Sequence, residues 1–479
     1  MLKRGQLALY IIIYNTLAVL ILSGILSLIY SYYLINNREV EKKKTLAIAE
    51  AGTEYYRWRL NHFPRDYTDG TNQPGPYVHN FENRLGDIIG QFKLEINPPA
   101  TGSTIVKIKS TGQLNYSNLE KTIEVTLGIP SLAKFSVLSD DNIRFGSGTI
   151  VYGEIHSNKG IRFDGVAYNL VSSALETYDD PDHGGCNEWA VHTHYLYADR
   201  CPPASWNYRP DVFKAGRRVG IPTVDFVGIS ADLATLKNIA NSSGFYRGSA
   251  GNSKYGYEIV LKDNGTFDLY QVDTVKNFPQ NCYAYDPYEF SGSYNRNSRY
   301  LYGTWSVDRK TYLGNFPIPD NGVIFIEDNV WVSGKINNKR VIIASAILPE
   351  TNEQTRIIIN NDLTYTNYDG RDVIGLIAQR SINVGLYSEE DLRIDAALIA
   401  KNGRAGRFHY YDCGEHSVKD NLTIYGMIAS RIRYGFAWTD GNGYRTRNLI
   451  YDGNLLYSPP PQFPLASEFY EVLKWQEIK

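Results

Sequence analysis

Residues 7–35 read LALYIIIYNTLAVLILSGILSLIYSYYLI, 29 consecutive positions without a charge. A hydrocarbon core ~30 Å thick needs about 20 helical residues, and this run exceeds that. Leu7, Ile12, Leu20, Leu26 and Ile35 mark its length. A cleaved secretory signal has a shorter apolar region and a small-residue cleavage site. Neither appears, so the segment reads as a retained anchor in contact with membrane lipid. Lys3 and Arg4 precede it, and Arg38, Lys42, Lys43 and Lys44 follow it. Basic residues therefore flank both sides, and loop-charge bias taken alone would put the rest of the chain in the cytoplasm.

Beyond the apolar run the helical pattern continues. Leu46, Ala49, Thr53, Tyr56 and Leu60 recur at steps of three and four, which puts them on one stripe of a helix. Pro64 ends it. The spacing predicts one helix, half in lipid and half amphipathic, whose stripe packs on whatever follows.

Lys3, Arg4 and Gly5 before an uncharged helix, with Ala49-Glu50-Ala51-Gly52 near its far end, resemble the start of type IV pilin-like proteins. The nearest likeness is to the PilX N-terminal-domain pilus assembly family. The resemblance implies removal of a short basic leader on the cytoplasmic side, with the cut between Gly5 and Gln6. It also implies a body on the far side of the membrane, opposite to the charge bias. Gln6 stands where pilins usually have Phe, and Tyr10 where major pilins place a Glu that neutralises a neighbouring subunit's terminal amine. That departure implies a minor or initiating subunit. The Tyr451-Asp452, Pro459-Pro460-Pro461 and Trp475 tail, with Ile221 to Phe226, resembles extended pilus-assembly homologues and carries the likeness over most of the chain.

Between Gly86 and Pro130 three segments alternate apolar and polar residues with period two. They are Phe92, Leu94 and Ile96; Val106 and Ile108; and Ile123, Val125 and Leu127. Such alternation marks antiparallel strands with one face buried. The stripe from Leu46 to Leu60 is the natural cover, stabilising by roughly 25 cal/mol for each Å² of apolar surface removed from water.

Past residue 130 a short pattern recurs, with a small residue, an Ile two places on and a polar pair. It begins at Gly153, Gly334, Gly375, Ala397 and Gly426, the last three 22 and 29 residues apart. A strand, a corner and a second strand at that period predict a β-solenoid, because one rung cannot bury its Ile, Val and Phe alone. A β-sandwich would accommodate the same runs. The stretch 170–320 differs in character, with a helix expected from Ser230 to Ala240 and a hairpin from Tyr257 to Val272 turning at Asp263-Asn264-Gly265.

Composition agrees with a β-rich body. Of 479 residues, 38 are Tyr and 41 Gly, while only 2 are Met, and aromatics suit pleated surfaces as Gly suits turns. Lys+Arg 49 against Asp+Glu 51 gives a net charge of −2, so no basic footprint points to nucleic acid.

Cys186, Cys201, Cys282 and Cys413 show no Cys-x-x-Cys spacing. In an oxidising compartment they would form two disulfides, one of three connectivities, with Cys186–Cys201 and Cys282–Cys413 expected. His192-Thr193-His194, with His183 and Asp182 nearby, has metal-binding residue types, but a polar surface loop is the commoner reading and no metal is assigned. Asp440-Gly441-Asn442-Gly443 lacks the sixth-position Gly and closing Glu of a calcium loop and reads as a turn. Ser131-Leu132-Ala133-Lys134 lacks the companions of an acyl-enzyme motif. Asp140, Asp141 and Glu154 would be the acids of a glycan-cleaving solenoid, although acids at turns are usually solvated. The chain is read as non-enzymatic, with no cofactor.

The expectation is an α+β fold. Residues 1–5 are leader-like and 6–63 form the membrane helix with its amphipathic extension. Residues 64–130 form a small antiparallel sheet, 131–169 a first solenoid repeat, 170–320 an insertion, 321–455 further repeats and 456–479 a cap over the last rung. The expected role is structural, a minor pilin-like or pilus-assembly component. Its partners would be lipid, other pilus subunits and a surface glycan or protein ligand. A membrane-anchored adhesin or glycan-binding protein is the alternative, and a polysaccharide-active enzyme the third reading.

Overall fold

The computed structural model describes residues 4–99, 103–226, 229–289, 303–350, 354–466 and 469–478. The chain divides into two units: Met1–Pro99, Ile105–Gly128 and Glu468–Lys479 form the first, Ala100–Thr104 and Ile129–Ser467 the second.

In the first unit α1 runs as one 59-residue helix from Arg4 to His62. Arg59 and His62 in its last turn suit the negative end of the helix dipole. α1 packs on β2 (Ile88–Asn97), β3 (Val106–Leu114) and β4 (Glu120–Gly128). Ile48, Ala49, Tyr56 and Leu60 are buried on the helix, as are Phe92, Leu94, Ile108, Val125 and Leu127 on the strands. Gly52 lets the helix approach closely, since a Cβ there would lie 2.8 Å from the Phe92 ring.

The sheet order is β1 (Tyr77–Glu82), β2, β3, β4 and then the C-terminal strand Glu471–Ile478, every pairing antiparallel. Two of these strands depart from the sequence reading. β1 buries only Tyr77 fully, so its alternation is faint. The segment 471–478, expected as part of a cap, instead pairs Trp475 with Val125 and Glu471 with Gly128. Within the expected cap 456–479, residues 467, 468 and 479 lie outside the described residues.

The second unit is built on three parallel ladders that the chain visits in turn. One passage runs through Ile357–Ile358, Leu363–Tyr365 and Val373–Ala378, and the next through Ile382–Val384 and then both halves of Asp391–Ala400. In the first ladder, register aligns Ile324, Ile343, Leu376, Leu398, Ile428, Val137, Ile155 and Val171. All eight lie in one buried cluster. Their neighbours Phe325, Ala344, Ile377, Ile399, Ala429 and Leu138 face the other way into a second cluster. A sheet buried on both faces explains near-continuous apolar runs such as Val341–Ala344. Leu233, Leu236 and Ala240 of α2 (Ile229–Ser243), at helical spacing, cover that second face with Leu455 and Phe463.

One residue further along, back on the face of the first cluster, a column of small residues runs Ser345, Ala378, Ala400, Ser430, Ser139, Ser157 and Ser173. The repeated pattern is therefore real in part. The copies at Gly375 and Ala397 are in register with each other, but the copy at Gly153 is shifted from them by one, since Ile155 aligns with Leu376 and Leu398. Gly426 stands opposite Ala396, not Ala397, which shifts that copy by one residue. Gly334 lies in the second ladder, opposite Leu363 and Leu261. Glycine marks corners on more than one ladder, so a small residue alone does not identify the face.

The stretch 170–320 is not a separate insertion. Val171–Ser173, Val191–His192 and Arg217–Arg218 extend the ladders begun at 135–163, while Phe245–Arg247 and Gly256–Leu261 stack on 323–334. The expected hairpin forms between Gly256–Leu261 and Thr266–Val275. Phe135–Ser139 pairs on one side with the end of the strand 418–430 and on the other with Glu154–Ser157, so the segments expected as a first repeat and as later repeats share one ladder.

Candidate functional sites

The N-terminal helix is the first candidate. Leu7, Ile12, Leu20, Leu26 and Ile35 are all more than half exposed, and the helix is long and apolar enough to cross a bilayer. No break falls between Ile35 and Leu46. Of the expected packing stripe, Ala49, Thr53, Tyr56 and Leu60 are buried, while Leu46 is half-buried beside the more deeply buried Thr45 and Ile48. Residues 1–3 of the leader-like segment lie outside the described residues, and Gly5 and Gln6 are described only as helical backbone.

The second candidate is a cleft of about 570 Å³ in the second unit. The third ladder is interrupted there: Ala405–Arg407 bridges to Gly435, whereas Ile143–Phe145 starts a separate sheet with 161–163 and 191–192. The gap is lined by Arg144, Arg404, Arg433, Arg447, Tyr288 and Trp438, among others. Asp182 serves Arg433 at 2.9 Å and Arg144 at 3.4 Å, and Arg404 reaches Asp286 at 3.0 Å. Arg404 also lies over the rings of Tyr288 and Trp438, at 5.2 and 5.6 Å. Among the described residues Arg447 donates to the Tyr444 and Arg445 carbonyls.

Beside the cleft, Tyr283–Tyr285 pairs antiparallel with His409–Tyr411. Cys282 is disulfide-bonded to Cys413, which pins this ribbon at one end. Tyr283, Tyr285, Tyr288 and Tyr411 are exposed there. Below it Glu289 is fully buried between Arg356 at 3.0 Å and Arg380 at 3.1 Å. Burial raises its carboxyl, but the two guanidiniums outweigh that and hold it at about 2. Cleft residues so far apart in sequence carry no local spacing signal. Only the abundance of Tyr hinted at the aromatic surface.

The third candidate surrounds the other disulfide, Cys186–Cys201. Ligand atoms of His183, Glu188 and His194 all lie within 4.8 Å of one another. Burial, with the Arg162 charge, holds His194 down at about 4. His192, from the same motif, is fully buried with Nε2 3.4 Å from Asp180.

The acids considered for catalysis are tied to other groups. Asp141 pairs with Lys159 at 2.8 Å, and Asp140 accepts from Asn158 at 2.7 Å and faces Arg431 at 3.4 Å. Glu154 is half-buried at the start of its strand. Ser131 caps a short 3₁₀ turn, and the Asp440 carboxylate accepts from the Asn442 backbone and pairs with His409 at 2.6 Å.

No family model matches the chain, and no curated protein matches it. Among solved structures, the crystal structure of competence-associated pilin ComZ from Thermus thermophilus aligns over 91% of this chain and 96% of that one. The identity is 12% and the TM-score 0.33, a likeness that by itself decides neither fold nor role.

Proposed function

We propose that this chain is a minor pilin-like or pilus-assembly component, held in the membrane by residues 7–35 with its β-rich body on the extracytoplasmic side. The observation that carries the reading is the unbroken helix from Arg4 to His62, bare over its apolar half and packed on an antiparallel sheet over the other. Such a rod can rest in lipid and later pack against equivalent rods of other subunits, exchanging one apolar environment for another at little cost. In this reading the leader is cut between Gly5 and Gln6, and the parallel ladders are the rungs of a β-solenoid whose body meets subunits or surface ligands. The role is structural, not catalytic.

Terminal sequencing of the native protein, with sheared surface fibres analysed in parallel, tests it. Gln6 as first residue and recovery in fibres are expected. A chain that begins at Met1 and is missing from every fibre fraction overturns the proposal.

The cleft favours a second reading, a surface-anchored glycan-binding protein. Exposed Tyr rings offer stacking faces, and the arginines suit an acidic sugar. Binding of acidic oligosaccharides that is lost in Trp438→Ala, by a chain unprocessed at Gly5, would select this reading over the first.

A further inference from the structure

We infer that His183, Glu188 and His194 form a binding site for a divalent transition-metal ion of the zinc class. The site is independent of the pilin reading and sits in the second unit.

The backbone brings the three residues together from two short elements. Thr177–Tyr178 pairs antiparallel with Glu188–Trp189, which sets Glu188 at the base of a ribbon and His183 in its loop. His194 follows the strand Val191–His192, and its amide donates to Asp164 Oδ1 at 2.8 Å. The Cys186–Cys201 disulfide holds the loop between the first two ligands. The donors are thus carried on restrained backbone, the condition for a preformed site.

The donor set suits zinc. Two imidazoles and one carboxylate are borderline and hard donors of the kind found in three-ligand zinc centres, which leave a fourth position for water. His183 Nδ1 lies 2.6 Å from Glu188 Oε1, and the His183 and His194 rings meet edge to face with centroids 4.3 Å apart. Tetrahedral donors at 2.0–2.2 Å from an ion stand about 3.4 Å from one another, so a cluster within 4.8 Å needs side-chain adjustments of roughly 1 Å. The Glu188 side chain is only 4% exposed, whereas that of His183 is 40% exposed, which leaves a route to solvent.

Local charge permits a cation. Arg162 is engaged by Asp164 at 2.8 Å and Asp180 at 3.5 Å, while Arg144 and Arg433 share Asp182, the residue next to His183. A metal on His183 would therefore also brace the loop that supplies Asp182 to the arginine cleft.

The test uses the full chain in detergent, free of any affinity tag and stripped with EDTA, then titrated with Zn²⁺ by calorimetry with metal content counted by mass spectrometry. One ion per chain is expected. Glu188→Gln, which keeps the side-chain volume, should weaken binding about tenfold or more. His183→Ala with His194→Ala should abolish stoichiometric uptake, while His79→Ala in the first unit should leave it unchanged. Co²⁺ in place of zinc should give the intense visible absorption of a four-coordinate centre, lost in the same variants. Circular dichroism and mapping of Cys186–Cys201 establish that each variant is folded. Absence of uptake by the unaltered chain, or stoichiometric uptake that survives the double substitution in folded protein, overturns the inference.

Discussion

Gly112 in β3 faces Ala49 of α1 so closely that a Cβ at Gly112 would lie 2.5 Å from the Ala49 amide nitrogen. Main chain meets main chain there, and no side-chain rotation can relieve the clash. Gly112→Ala should destabilise the first unit by about 1–3 kcal/mol, and Gly112→Val by more. Thermal unfolding of the detergent-solubilised chain measures this, and equal melting of all three proteins would show that the helix is not seated at that point.

The Glu289 carboxylate is enclosed by Arg356, which is itself 1% exposed. Glu289→Gln leaves a buried guanidinium without its countercharge and should cost about 3–5 kcal/mol. Urea unfolding reads it directly. A change below about 1 kcal/mol would mean that water or Asp286 takes over the charge.

His156 is buried where the column ending Leu138 would otherwise carry an aliphatic residue, with Nδ1 3.1 Å from Ser172 Oγ and its ring stacked on Phe135. Burial pushes its imidazole from 6.5 down to about 4. Between those pH values the unfolded chain binds a proton that the folded chain refuses, so stability falls as pH drops through that window. The group should contribute a loss of about 2 kcal/mol between pH 7 and pH 5. His156→Gln removes that part of the pH dependence, whatever it does to stability at pH 7. His194 acts in the same direction and stays in both proteins.

The two disulfides close loops of very different length, with sequence separations of 15 and 131. On chain-entropy grounds the shorter contributes about 3 kcal/mol and the longer about 5. Paired Ser substitutions at Cys282 and Cys413 should therefore lower the melting temperature more than those at Cys186 and Cys201. The reverse order would locate the dominant effect in native-state strain or in residual structure of the unfolded chain.

Local periodicity revealed what depends on neighbouring residues. The stripe from Leu46 to Leu60, the alternation at Phe92–Leu94 and the hairpin at Asp263-Asn264-Gly265 each draw on a few consecutive positions. In the structure Ala49, Thr53, Tyr56 and Leu60 are buried, Phe92 and Leu94 lie in a strand, and strands 256–261 and 266–275 pair across the turn. Pairings that join distant residues left little trace. Trp475 beside Val125 and Val137 beside Ile428 are set by segments meeting across hundreds of residues. The cleft was hidden for the same reason, since Arg144, Tyr288 and Arg404 converge only where a ladder is interrupted. The His motif was visible, but Glu188, which turns it into a three-donor cluster, was not singled out because its approach depends on the ribbon turn.

The place of Phe135–Ser139 between 426–430 and 154–157 has a consequence for biogenesis. The strand made first among the ladders waits for a neighbour made almost last. Until residue 430 has left the ribosome, one of its edges is bare and adhesive. Maturation of this body is thus tied to complete synthesis, and a prematurely released chain would display a sticky seam that invites quality-control proteases.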